Sequence, residues 1–121
     1  MRVLIIAATM AITGSAFGAG PDHFQLRNAS DLVKICSTQA SDSEYASAIA
    51  FCHGFLAGAY RYYLAATPEP DRFVCAPNPA PTRTKVMNDF VGWVKARPQN
   101  TQDQPADTLF RYLAEAYPCK K

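Results

Sequence analysis

One long apolar stretch, from Tyr45 to Ala66, constrains the fold more than any other part of this sequence. It reads YASAIAFCHGFLAGAYRYYLAA and places apolar side chains around most of a helical wheel. A helix of a water-soluble protein that is apolar on nearly every side must be covered by other elements. The sequence therefore predicts a small helical domain built around a buried central helix.

A narrow stripe of small residues, Ser47, Ala50, Gly54 and Ala57, runs along this predicted helix, and Gly54 and Gly58 form a GxxxG step. Glycines four residues apart allow the backbones of two helices to come close. We interpret the pair as the position at which another helix of the domain approaches the central one.

Local signals place further helices on both sides of the long stretch. Asn28 or Ser30 can cap a short first helix, and a capping box from Ser41 to Glu44 predicts that the long helix begins just after Ser41. Thr82 can cap a third helix, and a fourth follows near the carboxyl terminus. No segment shows sustained alternation of apolar and polar residues. The prediction is an all-α fold, a disulfide-stapled bundle of about four helices.

The first eighteen residues have the pattern of a secretory signal peptide. Arg2 precedes an apolar run over residues 3–12, and the small residues Ala16 and Gly18 follow at the spacing that signal peptidase prefers. The run is too short to remain as a membrane anchor, and no later run is long enough to cross a membrane. We expect export to the periplasm and a single domain over residues 19–121.

Four cysteines in a short exported chain indicate two disulfides. They are Cys36, Cys52, Cys75 and Cys119. A zinc site would need a close Cys-x-x-Cys pair, which the sequence lacks, so no metal is expected. Three pairings are possible. Antiparallel packing of the last two helices favours Cys75–Cys119, which leaves Cys36–Cys52 across the first helical hairpin.

The sequence offers little from which to build an enzyme. His53 follows Cys52, but a cysteine committed to a disulfide cannot act as a nucleophile. We therefore expect His53 to be a core histidine with a satisfied hydrogen bond, and we expect no catalytic residue and no cofactor. The formal net charge is only +2, and no basic cluster exceeds Lys120–Lys121. Nucleic acid is therefore not expected as a partner.

The segment Thr67–Thr82 contains five prolines, a density that neither a helix nor a central strand tolerates. We expect a stiff, exposed loop fixed in its middle by Cys75, with Phe73 and Val74 turned inward. A loop that only connects two helices would have the same composition. If the loop binds a partner, the candidate contact residues are its polar ones: Glu69, Asp71, Arg72 and Asn78.

Four segments in order, DLVKICS, FCHGFLAGAY, FVCAPNPAPTRTKV and QPADTLFRYLAEAYPC, resemble the Rap/Tai family of bacterial type VI secretion immunity proteins. Each segment carries one of the cysteines, and together they extend from about Asp31 to Cys119. The chain departs from the family pattern at Arg61, where an acidic residue is frequent, and at Lys85, where glutamine is usual.

The resemblance implies a periplasmic protein that binds a cognate secreted effector enzyme, an amidase that cleaves peptidoglycan, and leaves monomer and homodimer both open. The rival interpretation is another non-enzymatic binding protein, such as a periplasmic helical chaperone of the acid-stress type. Such a chaperone would need clusters of acidic groups that titrate, and the acidic residues here are scattered.

Overall fold

The computed structural model describes residues 19–121. The predicted signal peptide lies outside the described residues. The described chain forms four α-helices: α1 (Ala29–Cys36), α2 (Tyr45–Ala66), α3 (Arg83–Lys95) and α4 (Pro105–Ala116). Three short 3-10 turns accompany them, at Pro21–Gln25, Glu69–Asp71 and Pro98–Asn100. Over residues 19–121 there is no strand, only one isolated β-bridge, so the predicted all-α fold of four helices is confirmed.

The short helix α1 lies at the centre of the bundle, because it packs against each of the other three α-helices. Ala29, Leu32 and Ile35 are completely buried. The first N–H groups of α1 find partners in the turn before α4: the N–H of Ala29 donates to the carbonyl of Asp103 at 2.8 Å. Because the N–H groups at the buried end of α1 have hydrogen-bond partners, this helix of eight residues can lie in the middle of the core.

A charged group closes the same end of α1. The Asn28 side chain accepts a hydrogen bond from the N–H of Asp31 at 3.1 Å, which confirms one of the two predicted caps. The Asp31 carboxylate is buried and accepts from the backbone N–H and the guanidinium of Arg27 at 2.9–3.1 Å. The hydrogen bond from Arg27 lowers the pKa of Asp31 below its usual value.

The long helix α2 is not the buried post that its composition predicts. Its buried residues are Ala48, Cys52, Leu56 and Tyr63, which form one face. Gly54 and Gly58 lie on the opposite, exposed face, and a Cβ added at either would meet nothing within 4 Å. The expectation of a close helix contact at this glycine pair is therefore wrong within residues 19–121.

The physical reason is length. With its 22 residues, α2 is roughly 33 Å long, at 1.5 Å per residue. The helices that pack against α2 are α1 with eight residues and α3 with thirteen, and they reach only about 12 and 20 Å. Short helices on one side cannot cover the whole circumference of a helix this long.

Helices α3 and α4 complete the core from the other side. Phe90 and Leu109 are fully buried, and the Phe90 ring lies 5.9 Å from that of Tyr112. At the rim, Glu115 of α4 accepts from the Trp93 indole at 2.9 Å and from the Arg97 guanidinium at 3.0 Å. No helix in the described part of the chain is both long and apolar enough to cross a membrane.

Two disulfides join these elements, and they have the pairing that the sequence analysis favours. Cys36 of α1 is bonded to Cys52 of α2, and Cys75 to Cys119. The helix α2 begins at Tyr45 rather than just after Ser41, and the side chain of its N-cap residue, Glu44, makes no capping hydrogen bond. Cys52 therefore lies only about 10 Å along the helix, close enough for α1 to reach it across the connecting turn.

Candidate functional site

The proline-rich segment between α2 and α3 is attached to the core at its first half and protrudes at its second. Pro68 starts the single 3-10 turn Glu69–Asp71, and the chain then runs extended past the core. Val74 is 98% buried, whereas residues 75–80 are exposed. Thr82 then caps α3 as predicted, its side chain accepting from the N–H of Lys85 at 3.1 Å. The protruding part is thus held at both ends.

Tyr63 of α2 holds the inner side of this segment. Its hydroxyl oxygen accepts two backbone hydrogen bonds, from the N–H of Phe73 at 2.7 Å and from the N–H of Val74 at 3.0 Å. Tyr63 is itself buried, so the acceptor is fixed in place. One side chain of the bundle therefore sets the position of two consecutive loop residues.

The carboxyl-terminal segment holds the other side. The N–H of Cys75 donates to the carbonyl of Tyr117 at 2.9 Å, and the N–H of Cys119 donates to the carbonyl of Phe73 at 3.3 Å. The Cys75–Cys119 disulfide lies beside these two bonds. Two hydrogen bonds and a covalent bond make the middle of the segment rigid relative to the bundle.

Three of the four predicted contact residues are available to a partner. Glu69, Asp71 and Asn78 are exposed, and their side chains make no hydrogen bond or ion pair with any residue from 19 to 121. Arg72 is different, because its guanidinium turns back onto the end of α2. It donates to the carbonyl oxygens of Thr67 and Leu64, both at 3.1 Å.

Arg72 thus satisfies two of the carbonyl groups that the end of a helix leaves without partners. Its positive charge also lies at the negative end of the helix dipole. The structure gives this residue a role in ending α2 rather than a place at the tip of the loop.

Phe73 departs from the sequence expectation as well. Val74 is turned inward as predicted, but Phe73 is 51% exposed, so the expectation that both point inward is wrong. In extended backbone, consecutive side chains point to opposite sides, so burying Val74 turns Phe73 outward. Its ring packs edge-on against that of Tyr63, with 5.2 Å between centroids. The exposed surface of the loop therefore contains an aromatic ring that the sequence analysis turned inward. The sequence could have indicated this, because extended backbone at Phe73–Val74 turns the two side chains to opposite sides.

Beneath the protruding part lies a groove of about 360 Å³. Its walls come from α2, the proline-rich segment, the start of α3 and the end of α4. The apolar side chains include Leu56, Val74 and Leu113. The cationic ones are Arg61 of α2 and Arg83 of α3, and among residues 19–121 no acidic one lines the groove.

His53 lies in the wall of this groove, half-buried. Its Nε2 atom is shielded from solvent and has no hydrogen-bond partner among the described residues. The expectation of a satisfied core histidine is therefore wrong for this nitrogen. Its neighbour Cys52 is held in a disulfide, so the two residues do not form a nucleophile and base.

The site has the features of a binding surface. Residues 19–121 contain no group of His, Cys, Asp and Glu side chains arranged to hold a metal ion. The rigid loop, the exposed aromatic ring and the cationic groove are features of a recognition surface.

A family model described as Rap1a immunity proteins matches residues 28–119. The matched range contains α1 to α4, all four cysteines and the whole proline-rich segment. No curated protein matches the chain, and no solved structure matches it either.

Proposed function

Because this chain belongs to the Rap1a immunity protein family, we propose that it neutralises one cognate toxin in the periplasm, a secreted effector enzyme of the peptidoglycan-amidase type. In this proposal the protein is a binder without catalytic activity of its own. The segment Thr67–Thr82 enters or covers the cleft of the effector and keeps substrate out.

The observation that carries this proposal is that the loop is held rigid while the side chains of Glu69, Asp71 and Asn78 on its surface have no partner among residues 19–121. Tyr63 and the Cys75–Cys119 disulfide fix the segment before any partner arrives. Binding by a preorganised loop loses little conformational entropy, so more of the contact energy appears as affinity. A connector that merely joined two helices would not need a covalent bond and four backbone hydrogen bonds at its middle.

The surface offered is chemically mixed. Phe73 presents an aromatic ring, and Glu69 and Asp71 present carboxylates at the adjacent turn. Aromatic residues often carry most of the energy of an interface, and charged residues around them set the specificity.

Export is the second part of the proposal. Two disulfides form readily in the periplasm and are rare in the cytoplasm, so they fit an exported protein. We propose that residues 1–18 are removed as a signal peptide and that residues 19–121 are the mature domain. Amino-terminal sequencing of periplasmic material should give a start near Ala19; recovery of intact Met1 would contradict this part.

The experiment begins with the gene beside this one, where an amidase-like reading frame would supply the effector. Calorimetry then compares wild type with the double variant Glu69→Ala, Asp71→Ala. We expect at least a tenfold loss of affinity, about 1.4 kcal/mol or more. Because both side chains are exposed and unpaired, the melting temperature should stay nearly unchanged.

Glu44→Ala is the matched control. It removes an exposed carboxylate at the opposite end of α2 that makes no side-chain hydrogen bond within residues 19–121. Arg72 is left intact, because its loss would remove two hydrogen bonds at the end of α2. A loss of stability could then not be told apart from a loss of affinity. Full affinity in the double variant, with loss from changes on the exposed face of α2, would move the interface away from the loop.

A further inference from the structure

We propose that the groove beneath the proline-rich segment receives a carboxylate side chain of the partner protein together with an adjacent apolar side chain. This inference rests on the proposed function in one respect, that a protein partner exists. It adds a second contact site beside the loop and states which chemistry fills it.

The first observation is that two arginines of the groove have no hydrogen-bond or ion-pair partner within residues 19–121. Six arginines lie in the described residues, and four have hydrogen-bond partners there: Arg27, Arg72, Arg97 and Arg111. The remaining two, Arg61 and Arg83, make no hydrogen bond or ion pair within residues 19–121. Both line the groove, although they come from different helices.

The groove also lacks an internal counter-charge. None of the residues from 19 to 121 that line it is acidic, so Arg61 and Arg83 border a groove without a carboxylate. Two like charges beside low-dielectric walls produce a local positive potential that attracts an anion. Arginine is the side chain best suited to bind a carboxylate, because its planar fork can donate two parallel hydrogen bonds.

His53 gives an independent indication. Its Nε2 is buried without a partner at the wall of the same groove. Buried polar atoms of native proteins nearly always have a hydrogen-bond partner, so an orphan at a groove wall suggests that a bound group completes it. A carboxylate oxygen would accept a hydrogen bond from this nitrogen when it carries a proton.

The remaining walls define the rest of the ligand. They are mostly apolar: Leu56, Val74 and Leu113 are buried, and Tyr60 and Tyr117 are half-buried. A volume of about 360 Å³ is near the lower limit of ligand pockets, roughly 300–1,000 Å³. The groove thus fits one or two side chains of a partner, not a whole helix.

The first experiment needs no effector. The disulfide-bonded protein from the periplasm is labelled with nitrogen-15 and titrated with 4-phenylbutyrate, a carboxylate on an aromatic chain. We expect amide shifts at Ala57, Arg61 and Val86. The neutral analogue 4-phenylbutanol should bind at least fivefold more weakly, and inorganic phosphate should not displace the carboxylate.

Variants then locate the charge. Arg61→Gln and Arg83→Gln should each weaken 4-phenylbutyrate at least threefold and leave 4-phenylbutanol unchanged. Lys95→Gln, an exposed cation at the far end of α3 that makes no side-chain hydrogen bond, is the control and should change neither. Equal binding of both probes, equal competition by phosphate, or insensitivity to both arginine variants would each overturn the proposal.

The second experiment uses the effector. The double variant Arg61→Gln, Arg83→Gln should bind it at least tenfold more weakly, with a smaller dependence on salt than wild type. If this double variant binds the effector as tightly as wild type does, although 4-phenylbutyrate binds the wild-type groove, the partner does not fill the groove and this inference is wrong. The loop proposal is judged separately, because its test changes Glu69 and Asp71 and leaves both arginines in place.

Discussion

Replacing Tyr63 with phenylalanine tests the anchor on which the rigidity of the loop depends. The substitution removes one oxygen atom and keeps the ring, so the contact with Phe73 remains. The lost oxygen accepts hydrogen bonds from the N–H groups of Phe73 and Val74. Because Val74 is buried, water cannot replace its bond, and a buried N–H without a partner costs about 1–3 kcal/mol.

The hydrogen bond from the N–H of Phe73 contributes less to stability, because Phe73 is half exposed and water can reach this N–H when the hydroxyl is removed. We therefore expect Tyr63→Phe to lower the free energy of unfolding by about 2 kcal/mol. For a domain of this size, 1 kcal/mol corresponds to roughly 4–8 °C, so the melting temperature should fall by about 8–16 °C. The affinity for the effector should fall too, because binding must then order the loop.

Urea and thermal unfolding of the oxidised protein measure the stability, and amide hydrogen exchange at Val74 reports the local opening. Tyr62→Phe is the control, since Tyr62 is 76% exposed and its hydroxyl has no partner among the described residues. It should lie within about 0.5 kcal/mol of wild type. If Tyr63→Phe is equally neutral and exchange at Val74 is unchanged, the hydroxyl does not anchor the loop and the reasoning is refuted.

Three further outcomes are expected. Gly54→Ala and Gly58→Ala should each raise stability by roughly 0.5–1 kcal/mol in thermal unfolding, because alanine favours a helix over glycine and the space at both positions is open; a loss would reveal a hidden contact. Removal of the Cys75–Cys119 bond, which closes a loop with a sequence separation of 44, should lower the free energy of unfolding in urea by about 4 kcal/mol. Removal of the Cys36–Cys52 bond, with a separation of 16, should lower it by about 3 kcal/mol, and the reverse order would contradict the loop-entropy argument. Asp31→Asn should lower the free energy of unfolding by about 2 kcal/mol at pH 7. Because folding lowers the pKa of Asp31, this difference between variant and wild type should be present above about pH 4 and disappear as the pH falls through the folded-state pKa. A difference that does not change with pH would contradict the assignment.

The features that the sequence alone determined are local ones. Proline ends helices and excludes regular structure whatever surrounds it, so the bounds of the loop between α2 and α3 follow from composition. Side-chain caps act over three residues, which is why the sequence could identify Thr82 as a cap and Asn28 as one of two candidates for another. The favoured disulfide pairing likewise needed only the order of the helices and the short turn between the last two.

What only the tertiary structure decided is which face of each element meets which neighbour. The apolar composition of α2 made it the expected centre, yet α1 occupies that place, because it is short enough for three helices to surround it. Arg72 and Phe73 acquired their roles from the end of α2 and from Tyr63. Composition sets how much apolar surface a chain can bury. The lengths of the helices and the contacts between residues distant in sequence decide which surface is buried and which is left for a partner.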